Sequence, residues 1–192
     1  MQKALVPIAD GSEEMEVVII IDCLRRAGIE VTSVSIGAAT ISASRHVRLL
    51  ADALWDDIDP HGFDVLILPG GNDGTDALMH HEGVLQSVRQ FVDDGKMVAA
   101  ICAAPQVLQA AGVITGKRVT SHPAVREKIT EAVTTNARVE TDGNIITSQG
   151  PGTTMEFALA LIARIAGQDK AQEVAAGLIL PTGTTCASAP AD

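Results

Sequence analysis

Val98 to Gly112 reads VAAICAAPQVLQAAG. From Met97 to Ile101 the residues are apolar without alternation, the pattern of a strand covered on both faces. After Cys102 the pattern changes to that of a helix. In open α/β sheets ligands bind at the carboxyl ends of strands, so Cys102 falls where a site belongs. The frame Ala100-Ile101-Cys102-Ala103-Ala104 has small residues two positions either side of the thiol, as a nucleophile elbow requires. Pro105 is tolerated where a helix begins. Unpaired N–H groups there favour thiolate over thiol. The bland alternative is that Cys102 is a small core hydrophobe.

Working outward, the same alternation recurs. Ala4–Ile8 reads as a buried strand and Glu13–Arg26 as a helix, with Ser12 as its expected N-cap and Gly28 just past its end. Val31–Ile36 and Phe63–Leu68 are further strands, and Gly83–Asp94 is helical. In the second half, Arg118–Ser121 is a candidate short strand. Asp142-Gly143 marks a hairpin within Val139–Thr147. Thr153 with Glu156 three residues on has capping-box spacing for a helix to Ala166, and Asp169–Ala176 adds a last helix. Parallel strands alternating with helices predict an α/β fold: a flavodoxin-like three-layer α/β/α sandwich with a mostly parallel sheet and a nucleophile elbow. Residues 1–180 are expected to form one domain, and 181–192 a mobile tail containing Cys186.

Composition narrows the function. The net charge is −10, and the chain has one Trp, three Phe and no Tyr. An acidic surface poor in aromatics disfavours nucleic acid and anionic membranes as partners. No apolar run approaches the ~20 residues of a membrane span. With no leader pattern in view, a cytoplasmic location is expected. Three cysteines without CxxC spacing suggest neither a disulfide framework nor a zinc site, and no metal or other cofactor is expected. Cys23, inside an apolar helix, reads as core filling.

Three more features bear on chemistry. Pro69-Gly70-Gly71-Asn72 ends the Phe63–Leu68 strand, where glycines let backbone N–H groups approach a ligand and hold an oxyanion; an ordinary turn is the alternative. Glu16 lies one turn into the first helix, ahead of five β-branched apolar residues. Facing inward, it would be desolvated, keep its proton and serve as hydrogen-bond donor and proton shuttle to a thiolate. Facing outward, it would be an ordinary helix acid. Glu13 and Glu14 read only as first-turn acids. His122 could act as a base or line a pocket, and Arg26 and Arg45 could supply positive charge to an anionic ligand.

Taken in order, ALVPIADGSEEMEVV, LRRAGIEVT, FDVLILPGGNDG, VAAICAAP, TSHP and TSQGPGT with the EFALALI helix resemble the ThiJ/PfpI superfamily. The resemblance is to its branch holding the parkinsonism-associated protein deglycase and bacterial YajL. It covers residue 4 to about residue 165. It implies that Cys102 is the nucleophile and oxidation-prone thiol, with Glu16 its protonated partner. Gly71 and Ala103, beside Gly70, would supply the oxyanion pocket, with His122 nearby. Arg26, Arg45, Gly150 and Pro151 would line an anion-binding approach. It further implies a homodimer around the first helix.

Two departures matter. The peptidases of the superfamily carry His directly after the cysteine, and here it is Ala103. Class I glutamine amidotransferases carry His-x-Glu, and here His122 precedes Pro123 and Ala124. A peptidase triad is therefore disfavoured, and no residue supports a thiamine-related role. Two functions stand. One is cysteine-dependent handling of α-oxoaldehydes such as methylglyoxal, or of their adducts on side chains, as a glyoxalase III-like or deglycase activity protecting against carbonyl and oxidative stress. The other is a non-catalytic redox sensor or redox-regulated chaperone acting through a Cys102 sulfinic acid. Peroxide protection that needs Cys102 without turnover would favour the second.

Overall fold

The computed structural model of the chain describes residues 2–181 and Thr184. The predicted tail, with Cys186, lies outside the described residues apart from Pro181 and Thr184.

The strands are β1 (Lys3–Ile8), β2 (Glu30–Ser35), β3 (Thr40–Ser42), β4 (Arg48–Leu50), β5 (Ala53–Leu54), β6 (Val65–Leu68), β7 (Met97–Ile101), β8 (Arg118–Val119), β9 (Val133–Thr134), β10 (Val139–Asp142) and β11 (Ile145–Ser148). The helices are α1 (Glu14–Arg26), α2 (Asn72–Met79), α3 (Glu82–Asp93), α4 (Pro105–Ala110), α5 (Pro123–Arg126), α6 (Thr154–Ala166) and α7 (Gln168–Gly177). The main sheet has the order β10-β11-β7-β6-β1-β2-β5. All its pairings are parallel except β10 with β11.

The apolar strands are explained by two cores. Ala4, Val6, Ile8, Ile67, Ala99 and Ile101 pack on one face under α1, α6 and α7. Leu5, Leu66, Leu68, Val98 and Ala100 pack on the other under α2, α3 and α4. Every position of such a strand is buried, so no polar alternation is possible. Cys23 is in the first core, 1% exposed, as core filling predicts.

Two local expectations are corrected, a third element is shortened, and one stretch was not foreseen. Ser12 does not cap α1: its hydroxyl accepts the Ala9 N–H at 3.0 Å, and Glu13 takes the N-cap position without a side-chain bond. The Thr153–Glu156 capping box does not form, because Thr153 Oγ1 is used by the preceding loop and Glu156 pairs with Arg138 at 2.7 Å. The strand at Arg118 is only two residues long and pairs with β9 in a separate small sheet. The fourth is an omission: residues 40–54 hold the β3–β4 hairpin and the edge strand β5, where the residues show no strand periodicity.

Candidate active site

β7 ends at Ile101, between β6 and β11, and the chain turns sharply at Cys102. The turn needs φ +64° there, a left-handed value rare for a side-chain-bearing residue. Two backbone bonds hold it. The Cys102 N–H donates to Ser148 O at 3.1 Å, and its C=O accepts the His122 N–H at 2.8 Å. Ala103 and Ala104 are 1% and 0% exposed, which is why larger flanking residues would not fit.

The glycines after β6 complete the elbow. A Cβ on Gly70 would lie 2.5 Å from Cys102 Cβ and 2.8 Å from Glu16 Oε2. Gly71, at φ +90°, meets the carbonyl of Gly11 so closely that any Cβ would collide. Gly70 is not an oxyanion donor as expected: its N–H donates to Glu16 Oε2 at 2.7 Å and is occupied. The N–H groups of Gly71 and Ala103 act on the Cys102 sulfur from nearby, each favouring its ionised form.

α1 enters the sheet with Glu16 facing inward, wholly buried. Burial raises its carboxyl pKa to about 7, against the lowering effect of the Gly70 N–H and of a hydrogen bond with Cys102. Its second oxygen, Oε1, has no other hydrogen-bond partner. The thiol differs from expectation. Burial, and next the charge of an ionised Glu16, push Cys102 up to about 12, outweighing the two N–H groups. Backbone dipoles alone therefore do not ionise this sulfur near neutrality. The carboxyl and thiol share one dry site, and repulsion confines the pair to a single negative charge.

The remaining predicted residues divide. Arg45, Gly71, Ala103, His122 and Pro151 line a cavity of about 320 Å³ with Cys102 in its wall. Gly150 lies between His122 and the sulfur: a Cβ there would be 3.4 Å from His122 Cδ2 and 3.9 Å from Sγ. His122 Nδ1 accepts the Ala124 N–H at 3.2 Å. That contact occupies Nδ1 from within the chain. Arg26 does not line the cavity of its own chain. It is ten residues beyond Glu16, about 15 Å along α1, and pairs with Asp22 at 2.6 Å.

Several residues in the site carried no sequence signal of their role. Glu13 and Glu14 accept the Ser44 hydroxyl at 2.6 and 2.9 Å, and Glu14 accepts the Arg45 N–H at 2.9 Å, tying the β3–β4 hairpin to α1. Thr153 Oγ1 accepts the Gly150 N–H at 3.1 Å and lies 2.7 Å from Ser148 Oγ, fixing the Gly150 loop. A spacing of about 30 residues between partners hides the first contact, and an apparent cap disguises the second. Among the described residues, no three His, Cys, Asp or Glu side chains group as a metal site.

A thiol with two N–H groups near it and a buried carboxyl beside it is an arrangement that general chemistry allows to attack a carbonyl and move protons. A family model described as DJ-1/PfpI matches residues 2–164. Protein DJ-1 homolog B of Arabidopsis thaliana is 43% identical over 86% of this chain, which spans 38% of that plant protein. Protein dj-1beta of Drosophila melanogaster is 42% identical over 93% of this chain and 97% of its own length. Its crystal structure superposes with a TM-score of 0.91 over 94% of this chain and 98% of the fly chain. A Caenorhabditis elegans protein named glutathione-independent glyoxalase DJR-1.2 is 33% identical over 89% of this chain and 92% of its own.

Proposed function

The chain belongs to the DJ-1/PfpI family, and from that premise we propose that it converts small α-oxoaldehydes to hydroxy acids through Cys102, and acts likewise on their early adducts with side chains. The observation that carries the reading is the pairing of Cys102 with a wholly buried Glu16. The pair's one charge belongs on sulfur. The N–H groups of Gly71 and Ala103 lower the pKa of the sulfur, whereas the carboxyl has one N–H donor, from Gly70, and Oε1 lacks any other partner. A neutral Glu16 also removes the repulsion that holds the thiol up.

The thiolate attacks the aldehyde carbon, and the carbonyl electron pair moves to oxygen. Glu16 gives that oxygen its proton, forming a hemithioacetal. The Glu16 carboxylate then takes the proton from the former aldehyde carbon, and the enediol collects one at the neighbouring carbon. The product is a thioester of a hydroxy acid. Water cleaves it and returns the thiol, so methylglyoxal plus water becomes lactic acid with no external oxidant or reductant. The Gly71 and Ala103 N–H groups lie at the sulfur, within reach of the developing oxyanion.

We also propose that the chain works as a homodimer. Support comes from exposed apolar side chains on α1 and the β3–β4 hairpin: Met15 at 54%, Val18 at 50% and Leu50 at 75%. Val18 and Leu50 line one shallow groove. The function is tested by steady-state turnover of methylglyoxal without glutathione. Wild type should release lactate continuously and Cys102→Ser should release none; equal rates in the two would refute it.

A further inference from the structure

The strained turn at Cys102 is gripped by two segments far apart in sequence. Ser148, at the end of β11, accepts the Cys102 N–H at 3.1 Å, and His122, just before α5, donates its N–H to the Cys102 C=O at 2.8 Å. A side-chain-bearing residue keeps φ +64° only while its surroundings over-determine it. The separation between Ser148 and His122 is therefore a condition for the turn. If His122 drifts, Cys102 relaxes toward negative φ, and its sulfur leaves the Gly71 and Ala103 N–H groups that favour its ionised form.

The Ser148 side is firmly built. β11 pairs with both β7 and β10. The connection 136–138, which leads into β10, is bonded to it as well. Gln149 Nε2 donates to Asn136 O and Ala137 O at 2.9 and 3.0 Å, and the Ser148 hydroxyl donates to Arg138 O at 2.7 Å. The His122 side has less. Its base is tied by the Thr120 N–H, which donates to Thr147 Oγ1 at 2.9 Å. Beyond Thr120, one side chain spans the gap. Arg126, at the end of α5, donates Nη2 to Ser121 O at 3.0 Å and Nη1 to Asn136 Oδ1. It thus joins the residue before His122 to the connection that Gln149 and Ser148 hold.

We propose that Arg126 is a positioning residue for Cys102: by bonding Asn136 it fixes the His122 segment against the Ser148 segment and so keeps the sulfur in its ionisable place. Arg126 acts through the backbone of others, as a supporting residue does. The proposal rests on Cys102 as the reacting atom and not on which aldehyde it attacks.

The test uses the full chain and the pH dependence of Cys102 alkylation by iodoacetamide, followed on the Cys102 peptide by mass spectrometry. Asn136→Ala removes the acceptor without changing a charge, and Asn136 is exposed, so the core is untouched. The midpoint should rise by about 0.5 in pH toward that of an ordinary thiol, and the rate below the midpoint should fall about threefold. In an Arg126→Met background the same substitution should have no further effect, because its partner is already gone. Arg126→Lys keeps a donor and the charge, and should hold the wild-type midpoint. Asn144→Ala, which loses a bond to Lys96 O at the other end of β7 and β11, controls for lost stability. It should lower the urea midpoint and leave the alkylation midpoint in place. An unchanged alkylation midpoint in Asn136→Ala, or an equal shift with and without Arg126, would overturn the proposal. Alkylation needs no turnover, so the expected shifts in a protein that leaves methylglyoxal untouched would refute only the oxoaldehyde reading.

Discussion

Glu16 shows how one residue sets both stability and chemistry. Its pKa lies at about 7 in the folded protein, against 4.5 for an exposed glutamate. Between those values the native state holds a proton that the unfolded chain has lost. Stability therefore falls as pH rises from 4.5 through 7, by about 3 kcal/mol at full effect. Glu16→Gln keeps an acceptor for the Gly70 N–H and removes the titration. Its urea midpoint should exceed that of wild type at pH 8 and converge with it near pH 4.5; parallel curves would show that Glu16 is not the proton holder. Cys102 was legible in the sequence because a buried strand ended on it between small residues. Glu16 was legible only as a choice between two faces of a helix, which packing on the sheet decides. The pKa of Cys102 was not legible, because desolvation acts through neighbours that spacing does not reveal.

At the scale of elements, the site is where β6, β7, β11 and the start of α1 end together. The long apolar strands were readable since each is covered on both faces. The β3–β4 hairpin was not: strands of three residues are too short to show a period, and their hold on α1 comes from Glu13 and Glu14, acids that also suit any helix start. Thr153 is the clearest case of a local signal with a different use. It occupies the cap position, yet its hydroxyl serves Ser148 and Gly150. Thr153→Val should leave the Gly150 and Gln149 N–H groups without their acceptor, and the Ser148 hydroxyl with Arg138 O alone, and cost about 1–3 kcal/mol in urea unfolding, with a raised KM for methylglyoxal. Thr153→Ser should restore both. Loss of stability without a change in KM would mean that the loop does not shape the cavity.

Over the whole molecule, the apolar face of α1 and the hairpin lies on the same two elements that carry Glu16 and Arg45. Val18→Asp puts a charge in the middle of that face, which a dimer would bury unpaired. Light scattering should then give the mass of one chain, 19.9 kDa, where wild type gives twice that. A wild-type monomer would contradict the proposed assembly. No helix among the described residues is long and apolar enough to cross a membrane. The acidic balance of the chain, −10, was plain from composition.

The central claim concerns which atom gives up its proton first. The chain has no Tyr, so thiolate absorbance in the ultraviolet can be followed without tyrosinate, and the difference from Cys102→Ala isolates one sulfur. That difference should rise with a midpoint below that of an ordinary thiol, against the direction in which burial alone pushes the sulfur. Should it appear only above about pH 8.5, as for an ordinary thiol, the first charge resides on the carboxylate and Cys102 is no nucleophile at neutrality.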